Sequence, residues 1–464
     1  MFPTSASFLV TENCNLACKY CFEHHNENVM SEEVAYAALD FLSNNAEKEK
    51  SREFHAMLFG GEPLLNIDLI DKIFHRGEKL AKEKGLRFTT SMVTNATIMN
   101  DEIKDVLDWH KDSSHLTVQL SIDGDQKSQD LYRITKAGNG SFSLVEKNIE
   151  TFKEIFKNRP MDLCVHSCIN KQTLPNMFHN FIFFRTQWGF QNVWFLPVME
   201  EKWDEDDIKL YDEQERLIYN AVKNYVLETQ NINSINFYSP FDHCLNVGRP
   251  NKPCGAGDNF VTITANGDIF PCHQIYFNNK NRSEYLGNVL KGGCTELDAR
   301  KKYLEYNSEC LDCPKDCSAN NCYRCIAVNF QYNGDILKQI HGTYCDLMKI
   351  DKKYQDELKS FLQKEHFVNI ETDQQYDCLC NSRECKERTD GCDIVNHQSV
   401  CESGNNPDNP SCLCDIDNSQ QYMQDNKNSE FEETASMAMQ IMLHELQDIK
   451  KGVNDLNEHI RSKN

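Results

Sequence analysis

The chain has 464 residues, with 71 Asp and Glu against 49 Lys and Arg and a formal net charge of −22. Phosphate contacts need clustered basic side chains, so this balance argues against a nucleic-acid partner and favours solubility and a basic partner. No apolar run is long enough for a transmembrane helix, and the N-terminus lacks a signal-peptide pattern, so a cytoplasmic protein without membrane association is expected. Cysteine is the anomaly, with 22 residues unevenly placed: three at the N-terminus, nine from Cys254 to Cys345 and seven from Cys378 to Cys414. Without an export signal, metal ligation explains the first two groups better than a disulfide framework.

The first predicted strand is the apolar run Phe8-Leu9-Val10, followed at once by Cys14-Asn-Leu-Ala-Cys18-Lys-Tyr-Cys21. Thiols this close let one loop wrap a single metal centre. Three of them on an iron–sulfur cluster leave one iron without a protein ligand. Ser31 can cap a helix whose Val34, Ala38, Phe41 and Leu42 recur at helical spacing. A strand over 54–59 ends in Gly60-Gly61-Glu62-Pro63. Then come a helix over 67–83, a strand over 87–93, a helix over 101–109 and a strand over 116–122. In the strand over 162–169, Leu163, Val165, Ser167 and Ile169 share one face, and Cys164, His166 and Cys168 the other. Structural packing is the favoured reading of that second face, over thiols placed near a cofactor. A sixth strand covers 193–198. Strands alternating with helices at this interval give parallel pairing and a full or partial (β/α) barrel with function at the C-terminal strand ends.

Beyond an acidic helical connector, Cys254 opens a hairpin pattern with an Asn266-Gly267 turn leading to Cys272, an arrangement expected to bring the two cysteines together. Cys310, Cys313, Cys317, Cys322, Cys325 and Cys345 follow. From 371 the composition turns to Asn, Asp, Ser and Cys, an irregular segment to about 428. Its cysteines follow no zinc-ligand repeat. Over 429–464, Met439, Met442, Leu446, Ile449, Val453, Leu456 and Ile460 form an a/d seam, so self-association through this helix, or docking to a partner helix, is expected. Gly452 weakens that helix by roughly 1 kcal/mol relative to alanine.

The CxxxCxxC loop, with Tyr20 before its last cysteine, resembles the radical S-adenosylmethionine (radical SAM) superfamily. That resemblance implies a [4Fe–4S] cluster on Cys14, Cys18 and Cys21, whose open iron chelates S-adenosylmethionine. An electron from the cluster is then implied to cleave the cofactor's sulfonium, giving a 5′-deoxyadenosyl radical that abstracts hydrogen from a substrate carbon. Gly60-Gly61-Glu62 is similar to the family's GGE motif, which meets the cofactor's amino group. Thr94-Asn95-Ala96-Thr97 is similar to its Thr-Asn-Gly-Thr segment, with Ala96 for the usual glycine. Ser121-Ile-Asp123-Gly124 and Asp130-Leu-Tyr-Arg133 resemble a further stretch, with Gln129 for the usual His. The cofactor-binding residues implied are Gly60, Gly61, Glu62, Asn95, Ser121, Asp123 and Arg133, with pairing of Arg133 to Asp130 left open.

Cys254, Gly267, Cys272 and Gly287-Asn288-Val289 resemble the SPASM domain, an auxiliary-cluster module of peptide- and protein-modifying radical enzymes. The resemblance implies one or two auxiliary [4Fe–4S] clusters on Cys254, Cys272, Cys310, Cys313, Cys317 and Cys345. Either Cys322 or Cys325 would complete the first cluster, with Cys244 as a candidate fourth ligand and Cys294 structural. His273 stands where the anaerobic sulfatase-maturating enzymes carry an aspartate base, and is a candidate catalytic proton acceptor.

The expected architecture is α/β: a partial (β/α)6 TIM-like barrel over 1–200, a helical linker over 201–240, a SPASM domain over 241–370, the irregular segment and the coiled-coil helix. The expected activity is maturation of a ribosomally made precursor peptide by Cys thioether crosslinks, with an electron donor such as flavodoxin or ferredoxin. Formylglycine formation or another protein oxidation is the rival within enzymes, and a zinc-binding scaffold the rival outside them. The early start of the first strand implies no N-terminal peptide-binding domain, so leader recognition would use another surface or chain.

Overall fold

The computed structural model describes residues 2–198, 201–229, 255–278, 282–304, 325–336 and 342–365. Six parallel strands form the barrel wall: β1 (Ser5–Thr11), β2 (Glu53–Gly60), β3 (Arg87–Thr94), β4 (Leu116–Ser121), β5 (Leu163–Ile169) and β6 (Asn192–Pro197). Between them run α1 (Glu32–Glu49), α2 (Ile67–Lys84), α3 (Asp101–Ser113), α4 (Gln126–Tyr132), α5 (Phe142–Ile155) and α6 (Met177–Thr186). The connections are those of a partial TIM-like barrel.

Local chemistry sets the boundaries. Ser31 accepts a hydrogen bond from Val34 N at the start of α1, as the sequence predicts, and Asn100 does the same from Ile103 N for α3. Gly85 ends α2 in the left-handed region at φ 64°. Burial alternates along β2 and β5, with Phe54, Ala56 and Leu58 of β2 fully buried beneath the helices. On β5 the buried set is Leu163, Val165, Ser167 and Ile169, which matches the sequence reading, and Cys164, His166 and Cys168 lie opposite.

Beyond the barrel, α7 (Glu205–Thr229) is followed by β7 (Phe260–Ile263), β8 (Asp268–Phe270), α8 (His273–Asn278), β9 (Gly287–Asn288), α9 (Leu297–Leu304), α10 (Ile326–Asn333) and α11 (Thr343–Lys364). The Asn266-Gly267 hairpin forms between β7 and β8. It does not stand apart. β7 pairs in parallel with β1, from Ser5 opposite Phe260 to Phe8 opposite Ile263, so the sheet runs β6-β5-β4-β3-β2-β1-β7-β8-β9. The described part of the segment expected as the auxiliary module, 241–370, is thus hydrogen-bonded to the barrel sheet, within the compact unit Met1–Phe367. The expected linker over 201–240 is, over Glu205–Thr229, a helix packed on α11 and α6. The irregular segment and coiled-coil helix expected over 371–464 lie outside the described residues. No helix among the described residues is long and apolar enough to cross a membrane.

The α7–α11 joint buries acid. Tyr211 O–H donates to Asp351 Oδ1 at 2.9 Å, and Glu215 Oε2 is buried without a hydrogen-bond partner. Burial holds Glu215 well above the usual carboxylate range, and the Asp351 carboxylate adds to this; burial likewise raises Asp351 to about 7, against the Tyr211 hydrogen bond. Unfolded carboxyls ionise near pH 4, whereas the folded pair stays protonated. Folding therefore takes up protons as pH rises from about 4 through 7, and stability falls across that window. Glu215→Gln is expected to flatten the dependence and to exceed the native protein in stability at pH 8 by roughly 1–2 kcal/mol. Urea unfolding at pH 5 and pH 8 checks this; equal pH slopes for the two proteins would refute it.

Candidate active site

The cysteine loop leaves β1 at Thr11 and is pinned at the C-terminal strand ends. Gly61 N donates to Thr11 O and Glu62 N to Asn13 O, each at 2.9 Å. A Cβ at Gly60 would lie 2.0 Å from Thr11 O and one at Gly61 2.2 Å from Asn13 O. The paired glycines thus serve backbone approach between β2 and the cysteine loop, in addition to any ligand. On the far side, Ala17 N donates to Ile134 O and Lys19 N to Tyr132 O, at 2.8 and 2.9 Å.

Tyr20 anchors the loop to β4. Its hydroxyl donates to Asp123 Oδ2 at 2.6 Å. Asp123 is fully buried; its Oδ1 accepts from Cys168 N at 3.1 Å and lies 2.9 Å from Arg133 Nε, while Gln129 Oε1 accepts from Asp123 N. Arg133 covers the Tyr20 ring, with its guanidinium carbon 5.3 Å from the centroid. Its ionic partner is therefore Asp123. The open pairing with Asp130 is corrected: that carboxylate accepts from Phe142 N, at the start of α5. The Asp123 carboxylate is engaged by protein groups, which gives it a loop-positioning role. Ser121 is half-buried at the end of β4.

Glu62 is also engaged. Its Oε1 accepts from Thr94 Oγ1 at 2.7 Å and Leu64 N at 3.1 Å, and its Oε2 from Asn95 N at 2.8 Å. Asn95 Nδ2 in turn donates to Asn15 Oδ1 at 2.9 Å and approaches Cys14 Sγ at 3.7 Å. Ala96, where the resemblance has glycine, takes φ 59°, so the turn is kept with a side chain in the left-handed region.

The pairing of β7 with β1 brings a second wall. His273 stacks on Phe59 of β2 and Phe22 of the cysteine loop, with ring centroids 4.3 and 5.7 Å apart, and its Nδ1 has no hydrogen-bond partner. Tyr276 O–H donates to Glu12 Oε1 at 3.0 Å. Cys272 precedes α8, and Cys325 caps α10, which packs against α8. Cys345 lies in the first turn of α11. Cys294 is half-buried, and burial pushes its thiol up to about 11. Cys244, Cys254, Cys310, Cys313, Cys317 and Cys322 lie outside the described residues, as does any approach of Cys254 to Cys272.

Electrostatics separates thiols from acids. Burial pushes Cys14 and Cys21 up to about 12 and raises Cys18, with Arg133 opposing at Cys18. A metal centre here displaces protons from thiols that otherwise hold them. Burial lifts Glu62 to about 7 and Glu23 to about 8, with the Glu12 and Glu62 carboxylates adding to the effect at Glu23. Glu12 and Glu23 were missed in the sequence. An acid directly ending an apolar strand is the signal that could have marked Glu12, which accepts from Asn26, Asn28 and Tyr276.

The donor set fits an iron–sulfur cluster on Cys14, Cys18 and Cys21. Around it, buried polar atoms of Glu23, His25 and His273 lack hydrogen-bond partners, which suits a polar guest. The clustered carboxylates suit a cationic one.

Residues 8–174 match the family model of the Radical SAM superfamily. The chain is 23% identical to the radical SAM cyclopropyl synthase TigE of Paramaledivibacter caminithermalis, over 74% of this chain and 70% of that relative. It is 26% identical to a cysteine-type anaerobic sulfatase-maturating enzyme of Clostridium perfringens, over 68% of this chain and 87% of the relative. The solved structure of native anSMEcpe with bound AdoMet shares the fold at a TM-score of 0.62 and 20% identity, covering 78% of this chain and 99% of that one. The chain carries a radical SAM domain, and the protein is a radical SAM enzyme.

Gly61→Ala is expected to drive the cysteine loop off β2, lowering iron and sulfide incorporation severalfold while far-UV circular dichroism is kept. Tyr20→Phe removes a hydrogen bond to a buried carboxylate, a loss of about 1.5–3 kcal/mol. Iron content of the two reconstituted variants checks both, and native loading in both would refute the pinning.

Proposed function

We propose that this protein matures a ribosomally made peptide by forming Cys thioether crosslinks. The observation that carries the reading is the second wall: the hairpin leading to Cys272 is hydrogen-bonded into the barrel sheet, which sets His273 against Phe22 of the cysteine loop. A radical site bordered by a cysteine-bearing module suits a substrate that presents a thiol. The names of the relatives, a cyclopropyl synthase and a sulfatase-maturating enzyme, support a peptide or protein substrate.

The cluster on Cys14, Cys18 and Cys21 with S-adenosylmethionine would supply a 5′-deoxyadenosyl radical, and auxiliary clusters on Cys272, Cys325, Cys345 and the cysteines outside the described residues an electron acceptor. The chain's own residues do the rest. Gly60, Gly61, Glu62, Asn95 and Ser121 line the strand ends where the cofactor would lie, and the Glu12, Glu23 and Glu62 carboxylates would favour its cationic groups. Asp123 and Arg133 hold the loop through Tyr20. Crosslinking removes one hydrogen atom from a substrate carbon, one proton from the thiol and one electron. His273 Nδ1, aromatic-walled and without a hydrogen-bond partner, is the assigned proton acceptor. Reducing equivalents would come from a flavodoxin or ferredoxin.

Formylglycine formation is the second reading, favoured by the sulfatase-maturating relative.

Anaerobic incubation with dithionite and S-adenosylmethionine is expected to yield 5′-deoxyadenosine, falling to background in Cys14→Ala. Unchanged product in that variant would overturn the radical site. A peptide co-expressed with the enzyme is expected to lose two hydrogens per crosslink, together with one alkylatable thiol. A carbonyl at one Cys or Ser without a crosslink would replace the thioether reading with the second one. Glu62→Gln is expected to weaken S-adenosylmethionine binding about tenfold, measured by equilibrium dialysis of reconstituted protein.

A further inference from the structure

Away from the cysteine loop, the outer helices carry a cluster with metal-ligand chemistry. Asp71 and His75 lie one turn apart on α2, and His110 lies in the last turn of α3. Among the described residues this is the one group of three such side chains whose ligand atoms all lie within 4.8 Å of one another. Asp71 Oδ1 is 3.0 Å from His110 Nε2 and 3.6 Å from His75 Nε2. Tetrahedral bonds of about 2.0–2.1 Å place donors about 3.3 Å apart, so these separations need only small side-chain adjustment.

The support behind the cluster is built. His110 has a side chain only 1% exposed, stacked on Phe74 at 4.8 Å. Its Nδ1 lies 2.7 Å from Glu78 Oε1, which also accepts from the Ser113 and Ser114 hydroxyls. Glu78 Oε1 beside Nδ1 orients the His110 ring so that Nε2 is turned toward Asp71. A carboxylate behind a ligating imidazole is the common outer-shell arrangement of metal histidines. Nε2 faces the Asp71 oxygen at 3.0 Å. His75 is exposed, so an ion and a completing water can reach the site.

We propose that Asp71, His75 and His110 bind one Zn2+ ion that staples α2 to α3, with Glu78 orienting His110. Two imidazoles and one carboxylate suit a borderline ion rather than Mg2+ or Ca2+. All three residues sit on the outer helices α2 and α3 rather than on the cysteine loop. The ion therefore has a structural role, and 5′-deoxyadenosine formation does not depend on it.

The test uses the full-length protein with its clusters reconstituted and loosely bound metal removed. Native protein, His75→Ala and Asp71→Asn are titrated anaerobically with zinc sulfate, and the bound ion is examined by X-ray absorption. The native protein is expected to take up one ion more than either variant, with only nitrogen and oxygen neighbours. The variants should bind it about tenfold or more weakly while retaining native circular dichroism. Co2+ in place of Zn2+ should give a d–d spectrum without a thiolate charge-transfer band. Equal uptake by the native protein and His75→Ala, or thiolate ligation of the additional ion, overturns the proposal and leaves His110 as a buried side chain held between Asp71 and Glu78.

Discussion

The rest of the site depends on one constraint: a loop carrying three desolvated thiols must be held against the ends of two parallel strands. Backbone contact does the first half. Gly61 N and Glu62 N reach Thr11 O and Asn13 O, at a closeness that any Cβ would forbid. A buried ion pair does the second half. Removing a carboxylate from water costs several kcal/mol, and Asp123 is compensated by Arg133, the Tyr20 hydroxyl and Cys168 N together. Each of those donors comes from a different element, so the carboxylate is satisfied only when the loop, α4 and β5 are all in place. Burial keeps the thiols protonated, so a metal centre binding there would have to release those protons.

The same constraint explains why β1 is buried along almost its whole length. It is paired on both sides, with β2 and with β7, and only its first residue is half-exposed. A strand closed on both edges gives the cysteine loop a fixed point of departure. It also fixes what borders the loop. Glu12, the first residue beyond β1, accepts from Tyr276 of α8, so the radical domain and the later cysteine-bearing segment meet in a buried carboxylate. That junction, with Phe22 and Phe59 flanking His273, borders the cysteine loop on this side.

Much of this was legible locally. The strand–helix alternation, the Ser31 cap, the Asn266-Gly267 hairpin and the two faces of β5 all follow from patterns a few residues long. The attachment of β7 to β1 was not, because the paired residues stand more than 250 positions apart and both strands read simply as apolar runs. The acids were hidden for a related reason. Glu12 and Glu23 look like ordinary charges in sequence, and join Glu62 in one electrostatic unit only when the chain folds them around the same loop. Arg133 illustrates the limit within a motif: its neighbour Asp130 was the nearer candidate along the chain, yet the turn ending α4 directs the guanidinium back to β4. Helices α4, α5, α6 and α11 also lacked a distinctive local pattern, and their amphipathic faces are set by the sheet and by each other.

The positions where this chain departs from the pattern of its superfamily are compensated locally. Ala96 adopts a left-handed backbone that costs an L-residue about 1–2 kcal/mol. Its methyl is fully buried, worth about 0.8 kcal/mol, and Asn148 Nδ2 donates to its carbonyl, worth roughly 0.5–1.5 kcal/mol. The two gains are of the same size as the strain, so the turn that presents Asn95 and Thr97 survives without glycine. Gln129 is likewise fully satisfied, accepting from Asp123 N and donating to the Ser141 hydroxyl, where a histidine would add a titratable group. Both departures are thus accommodated within their own turns. What distinguishes the reaction of this protein must be sought in the other wall, where His273 faces the loop and no buried carboxylate opposes it from its own helix.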